Sequence, residues 1–238
     1  MRPTSPGRCG QAAGTSGSGT LEPVDVLTDL PVAWVTGVVV LLLVVGTGSW
    51  AGSLVTVAHE GGHIVAAALT GRAPQGFRVH EGVGGGYTTF AGGWGLGLIL
   101  VFLAGYLTPP LVGLGGAWLV LHGWSEVVLW GAVALLLGVL FLADTVFTIV
   151  LVVLAAGGIG WAALRGDPAV QHWLATGLVW LMLLGGVWSL RGQGLGRRGS
   201  DAAQLAEHTL VPRVVWAAGF WAVALGCLWL GGRALLGL

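Results

Sequence analysis

Residues 56–71 read TVAHEGGHIVAAALTG. Two histidines and a glutamate interrupt a run that is otherwise small and apolar. On a helix His59 and His63 stand at i and i+4, so both imidazoles face one side, one turn apart. Glu60 lies beside them. His-Glu-x-x-His at this spacing suits two ligands of one Zn²⁺, with the carboxylate placed to take a proton from a metal-activated water. A pair of helix-packing histidines bonded to neighbouring carbonyls is the plainer reading. It accounts for a lone histidine better than for this trio, because ionisable groups inside a membrane are expensive and point to a function.

The surroundings of the motif are those of a membrane. The 238 residues have a mean hydropathy of +0.87, with 55% apolar and only 8% charged residues. A soluble domain carries about 25% charged residues, so the bulk of the chain is solvated by lipid. The net charge is zero, which gives no sign of a nucleic-acid partner. Cys9 in the N-terminal stretch and Cys227 in the last apolar run define no disulfide framework. Residues 1–30 are rich in Gly, Ser, Thr and Pro without hydrophobic period and read as a disordered tail. No apolar segment follows Met1 closely enough for a signal peptide. Residues 31–238 are expected to form the membrane domain.

Apolar runs at 31–50, 53–70, 95–121, 127–143, 145–164, 173–190 and 214–236 are candidate spans. Residues 127–164 as one helix would be roughly 57 Å long, nearly twice the hydrocarbon thickness, and the polar pair Asp144-Thr145 is the natural break. The expected fold is an all-α polytopic membrane protein of six to seven transmembrane helices. With seven spans and the N-terminus in the cytoplasm, Arg2, Arg8, Arg72, Arg78, Arg191, Arg197, Arg198 and Arg213 lie inside, and only Arg165 and Arg233 outside. That asymmetry is the one expected of cytoplasmic loops in the cell membrane.

One stretch is not helical. In GFRVHEGVGGGYTTFA, residues 76–91, strand formers flank a glycine-rich turn after the helix stop at Gly71 and Pro74. It predicts a β-hairpin on the cytoplasmic side. An open sheet edge cannot face lipid, so the hairpin leans on protein, lines a wet cavity or pairs with another chain. Gly85, Gly86, Tyr87 and Thr88 are the candidate edge for binding an extended substrate segment.

A catalytic zinc needs a third protein ligand. His80 and Glu81 sit on the hairpin turn; His122, Glu126 and His172 fall on the outer side. Asp144 and the loop residues Asp201, Glu207 and His208 fall inside. Depth favours Asp144: His63 lies about 10 Å from the inner end of its span, and the short fourth span can end below the surface. The other reading of Asp144 is a helix N-cap. Asp201 is the second choice for the ligand, against a cap in a solvated loop.

These residues resemble the site-2 protease class of intramembrane zinc metallopeptidases, in its compact bacterial branch without a PDZ domain. The resemblance covers residues 50–165, which it marks as the core of the 31–238 domain, and rests on HEGGHIVAAALTGR at 59–72, the hairpin at 76–91 and LAGYLTPPLVG at 103–113, and less specifically on SDAAQLAEHTLVP at 200–212. It implies a third ligand from an L-D-G motif, to which Ala143-Asp144-Thr145 corresponds in chain order without the glycine. It further implies Zn²⁺ as cofactor and a membrane-protein substrate.

Three functions compete. The first is zinc-dependent peptide hydrolysis in or at the membrane, with Glu60 as general base. The second is a catalytically inactive protein of the same fold that binds partner transmembrane segments; the missing glycine favours it and the intact Glu60 opposes it. The third is a transporter using the trio as a proton relay, which calls for inverted repeats that the sequence does not display. Neither substrate identity nor oligomeric state is readable from the sequence.

Overall fold

A computed structural model describes residues 26–47, 49–80, 85–91, 95–191 and 199–238. Among the described residues eight helices and one hairpin follow in the order α1 (Val26–Thr47), α2 (Ser49–Leu69), β1 (Pro74–His80), β2 (Gly85–Phe90), α3 (Leu96–Leu121), α4 (Ser125–Leu140), α5 (Val146–Arg165), α6 (Pro168–Arg191), α7 (Asp201–His208) and α8 (Arg213–Leu235). The first helix starts at Val26, inside the stretch read as tail; the rest of that stretch, residues 1–25, lies outside the described residues.

Among the described residues five helices, α1, α3, α5, α6 and α8, are long and apolar enough to cross a membrane, which marks a multi-pass membrane protein. The seven-span expectation also counted α2 and α4. The polar side chains of its own motif dilute the hydropathy of α2. The 16 residues of α4 reach only about 24 Å, short of a hydrocarbon core of about 30 Å. The outer surface suits lipid: Leu42, Leu154, Trp161 and Trp229 stand exposed on the helices.

The helices pack through small residues. Gly62 of α2 lies so close to α3 that a Cβ there would stand 2.7 Å from the Ala104 carbonyl oxygen and collide with the Thr108 hydroxyl. Close backbone approach of this kind is how apolar helices gain contact when lipid already satisfies their side chains. On the far side Trp180 of α6 is buried against α1 and donates Nε1–H to the Ala33 carbonyl at 3.0 Å.

The hairpin alternates as a half-buried strand pair should. Phe77 and Val79 are buried, and Gly86 and Thr88, opposite them in register, share their face and look onto α2. Tyr87 points outward, with the Arg78 guanidinium 5.5 Å from its ring centre. The outer edge of β1 is occupied from within the chain. Phe77 N–H donates to the Leu142 carbonyl at 2.7 Å, Asp144 N–H to the Phe77 carbonyl at 2.9 Å, and Val79 N–H to Thr148 Oγ1 at 3.0 Å. The turn between α4 and α5 thus acts as a short third strand. The turn and β1 lie at the same end of the helix bundle as α7, where the chain passes from α6 to α8.

A cavity of about 760 Å³ opens on the opposite face of α2, lined by Leu54, Ala58, Gly61 and Val65 with Leu119 and Leu135. It holds no ionisable side chain.

Candidate metal centre

The helix α2 turns His59 and His63 toward α3 and α7 and Glu60 toward β2, and none of the three toward the apolar cavity. His63 and Glu60 are buried, and His59 is partly buried. The Nδ1–H of His63 donates to the Val101 carbonyl of α3 at 2.7 Å. This bond selects the tautomer that leaves Nε2 as a lone-pair donor, as a carbonyl behind a metal-binding histidine does. His59 is oriented by an aromatic neighbour: the Tyr106 ring meets it edge-on, with centres 4.3 Å apart.

The third side chain is Asp201. Its Oδ2 lies 3.3 Å from His59 Nε2 and 3.4 Å from His63 Nε2, and the two Nε2 atoms are 3.2 Å apart. Among the described residues this is the one group of three or more His, Cys, Asp or Glu side chains that could hold a metal. Local sequence explains how Asp201 reaches it. The Ser200 hydroxyl caps α7 by accepting from Ala203 N–H at 3.3 Å, which puts Asp201 in the first turn, where the helix dipole favours an acid. Ala202, Ala203 and Leu205 are buried, and the packing of Ala202 and Leu205 with Tyr106 of α3 and Phe220 of α8 docks the short helix.

The three atoms fit a divalent ion. Metal–ligand bonds of about 2.0–2.1 Å at tetrahedral angles place ligand atoms about 3.3–3.4 Å from one another. The observed triangle of 3.2, 3.3 and 3.4 Å has that size. Among the described residues no hydrogen bond reaches the buried Oδ2 atom of Asp201, which suits it to a cation. Gly105 of α3 leaves the room: a Cβ there would stand 2.5 Å from His63 Nε2 and 2.7 Å from Asp201 Oδ2.

Asp144, the residue expected as third ligand, is not in this group. It is exposed at the hairpin base, where its Oδ2 would be 2.6 Å from a Cβ on Gly76. Its main chain is committed to β1, which pulls the α4–α5 turn onto the hairpin and away from the histidines. It is not the N-cap of α5 either: Thr145 holds that place and accepts from Thr148 N–H at 3.3 Å. The other candidates lie apart. His80 is exposed on β1, and Glu81 lies outside the described residues. His122 donates to the Trp118 carbonyl, Glu126 accepts from Trp130, and His172 lies beside Ser125.

Glu60 flanks the triangle. Its Oε2 accepts a hydrogen bond of 2.7 Å from the Thr88 hydroxyl of β2. Gly86 lets the strand approach: a Cβ there would be 2.9 Å from Thr56 Cγ2 and 3.4 Å from Glu60 Cγ.

Two imidazoles, a carboxylate and an adjacent buried glutamate inside a bundle of apolar helices define a membrane protein of the metallopeptidase type. Residues 32–231 match the family described as Peptidase M50B-like, and the chain belongs to that site-2 protease-like family. Peptidases of this family are zinc-dependent. No curated protein and no solved structure matches the chain.

Proposed function

We propose that this protein hydrolyses peptide bonds within or at the membrane, with zinc held by His59, His63 and Asp201 and with Glu60 as general base. The observation that carries the reading is the convergence of three ligand atoms, at tetrahedral spacing, beside a buried glutamate of the same helix. When bound there, zinc supplies a Lewis acid and a water acidified toward neutral pH. The chain's own residues do the rest. Glu60 accepts the water's proton and returns it to the leaving amine, so the carboxylate is regenerated in each turnover. Val101 and Tyr106 keep the imidazoles aimed. The apolar surround keeps bulk water from the buried carboxylate.

A substrate helix has to unwind before its backbone can be attacked. The open edge of β2, at Gly86 and Thr88 with Gly85 and Tyr87 beside them, offers the unwound segment a strand to pair with. The proposed topology has seven spans, counting α2 and α4, with the N-terminus in the cytoplasm. Arg72, Arg78, Arg191 and Arg213 flank the end that carries the hairpin and α7, and Arg165 and Arg233 the other, which supports that orientation. An inactive, partner-binding role loses its main support, since the absent L-D-G glycine is next to Asp144, outside the metal group.

The test uses purified full-length protein in detergent. Wild type should carry about one zinc per chain, and His59→Ala and His63→Ala should lose it. Glu60→Gln should keep zinc yet fail to cleave fluorescently labelled casein, an unfolded chain that offers extended segments. Zinc at wild-type stoichiometry in the histidine variants, or undiminished turnover in Glu60→Gln, overturns the reading.

A further inference from the structure

A carboxylate works as a base only when it is held toward the proton it removes. The structure shows what holds Glu60. Among the described residues one side chain bonds its carboxylate: Thr88, whose hydroxyl donates to Oε2 at 2.7 Å and lies 3.4 Å from the Glu60 main-chain oxygen. Thr88 is itself well fixed. Threonine is β-branched and stiff at χ1. Its residue pairs with Phe77, which is fully buried and tied on its other side to Leu142 and Asp144.

The same register fixes where the Thr88 main chain points. Phe77 spends both its N–H and its carbonyl on residues 142–144, and Val79 turns its N–H to Thr148, so neither faces β2 with those groups. In an antiparallel pair, opposite residues either exchange both bonds or direct both sets outward. Thr88 and Gly86 therefore direct N–H and carbonyl groups away from β1, along the edge that no strand among the described residues pairs with.

We infer that Thr88 is the positioning residue for Glu60. Its hydroxyl holds the carboxylate while its main chain lies on the edge that an incoming strand would join, so one residue relates the register of the substrate to the place of the base. The inference rests on the hydrolytic reading above. It assigns Thr88 a side-chain role separate from the strand edge itself.

Thr88→Val keeps the shape and the main chain and removes the hydroxyl; Thr88→Ser keeps the hydroxyl. With zinc-loaded full-length protein and labelled casein, Thr88→Val should lower kcat by about 10- to 100-fold, a part of what a general base supplies, with KM and zinc content at wild type. Thr88→Ser should stay within about threefold of wild type on the same scale. Wild-type kcat in Thr88→Val, a loss confined to KM, or equal loss in the serine variant overturns the inference. Thermal unfolding reads the bond without any substrate. Thr88→Val should lower Tm in the wild-type background and lose that effect in the Glu60→Leu background, which has no acceptor. If zinc-loaded wild type cleaves nothing, the hydrolytic reading fails, and unfolding alone decides the bond: equal Tm losses in both backgrounds overturn it.

Discussion

Two neutral imidazoles and one carboxylate carry a single negative charge, so a divalent ion bound by them keeps a net positive charge and remains a Lewis acid. Asp201 is the residue that makes the set, and the contrast with Asp144 is sharp. Asp201→Ala should weaken zinc binding by more than about 100-fold, since changes one shell further out already cost 10–100-fold. Asp144→Ala should leave zinc affinity at wild type and move stability by no more than about 0.5 kcal/mol, because its main-chain amide, not its exposed carboxylate, bonds Phe77. Zinc titration of both variants checks this, and the reverse pattern would return the third ligand to the α4–α5 turn. Depth and chain order pointed to Asp144. Those arguments locate a residue along the membrane normal; they do not say which way a turn folds, and here the turn folds onto β1.

At the level of elements, α2 and the hairpin are both legible in the sequence. The i, i+4 spacing of the histidines sets their common face, and strand formers around glycine set the hairpin. The short helix α7 is the element that sequence reasoning undervalued. Its signal is faint but physical: Ser200 as cap, followed by Ala202 and Leu205 one turn apart, a buried stripe on a helix too short to hold itself. Its stability comes from docking on α3 and α8, and the metal group depends on that docking. Leu205 is fully buried and supplies no ligand atom, so Leu205→Ala should cost about 2–5 kcal/mol of packing. It should also weaken zinc binding by about 10-fold or more, a linkage of 1.4 kcal/mol per decade. A lowered Tm with wild-type zinc affinity would show that α7 docks independently of this contact.

For the whole molecule, the candidate metal group lies toward one end of the bundle. The hairpin, the α4–α5 turn and α7 meet there, and the arginines next to them are those that a cytoplasmic surface favours. If α2 and α4 both cross the bilayer, a reporter fused at residue 200 and one fused after Leu238 should lie on opposite sides. Signals from the same side would mean that one of these two helices does not cross. The low hydropathy of α2 and the shortness of α4 are tolerable in a bundle where both are packed by neighbours, α2 by α3 and the hairpin, α4 by α5 and α6.

Composition, period and spacing are local properties, and they sufficed for the membrane class, the long apolar helices, the hairpin and the pairing of His59 with His63 on one face. The hydrogen bond from Thr88 to Glu60, the room left at Gly105 and the choice of Asp201 over Asp144 are not local. Each depends on two elements distant in the chain coming within about 3 Å of each other, the hydrogen-bond and ligand scale. Small residues between α2 and α3, and the recruitment of residues 142–144 to the edge of β1, decide that approach. Those packing geometries exist only once the helices have met.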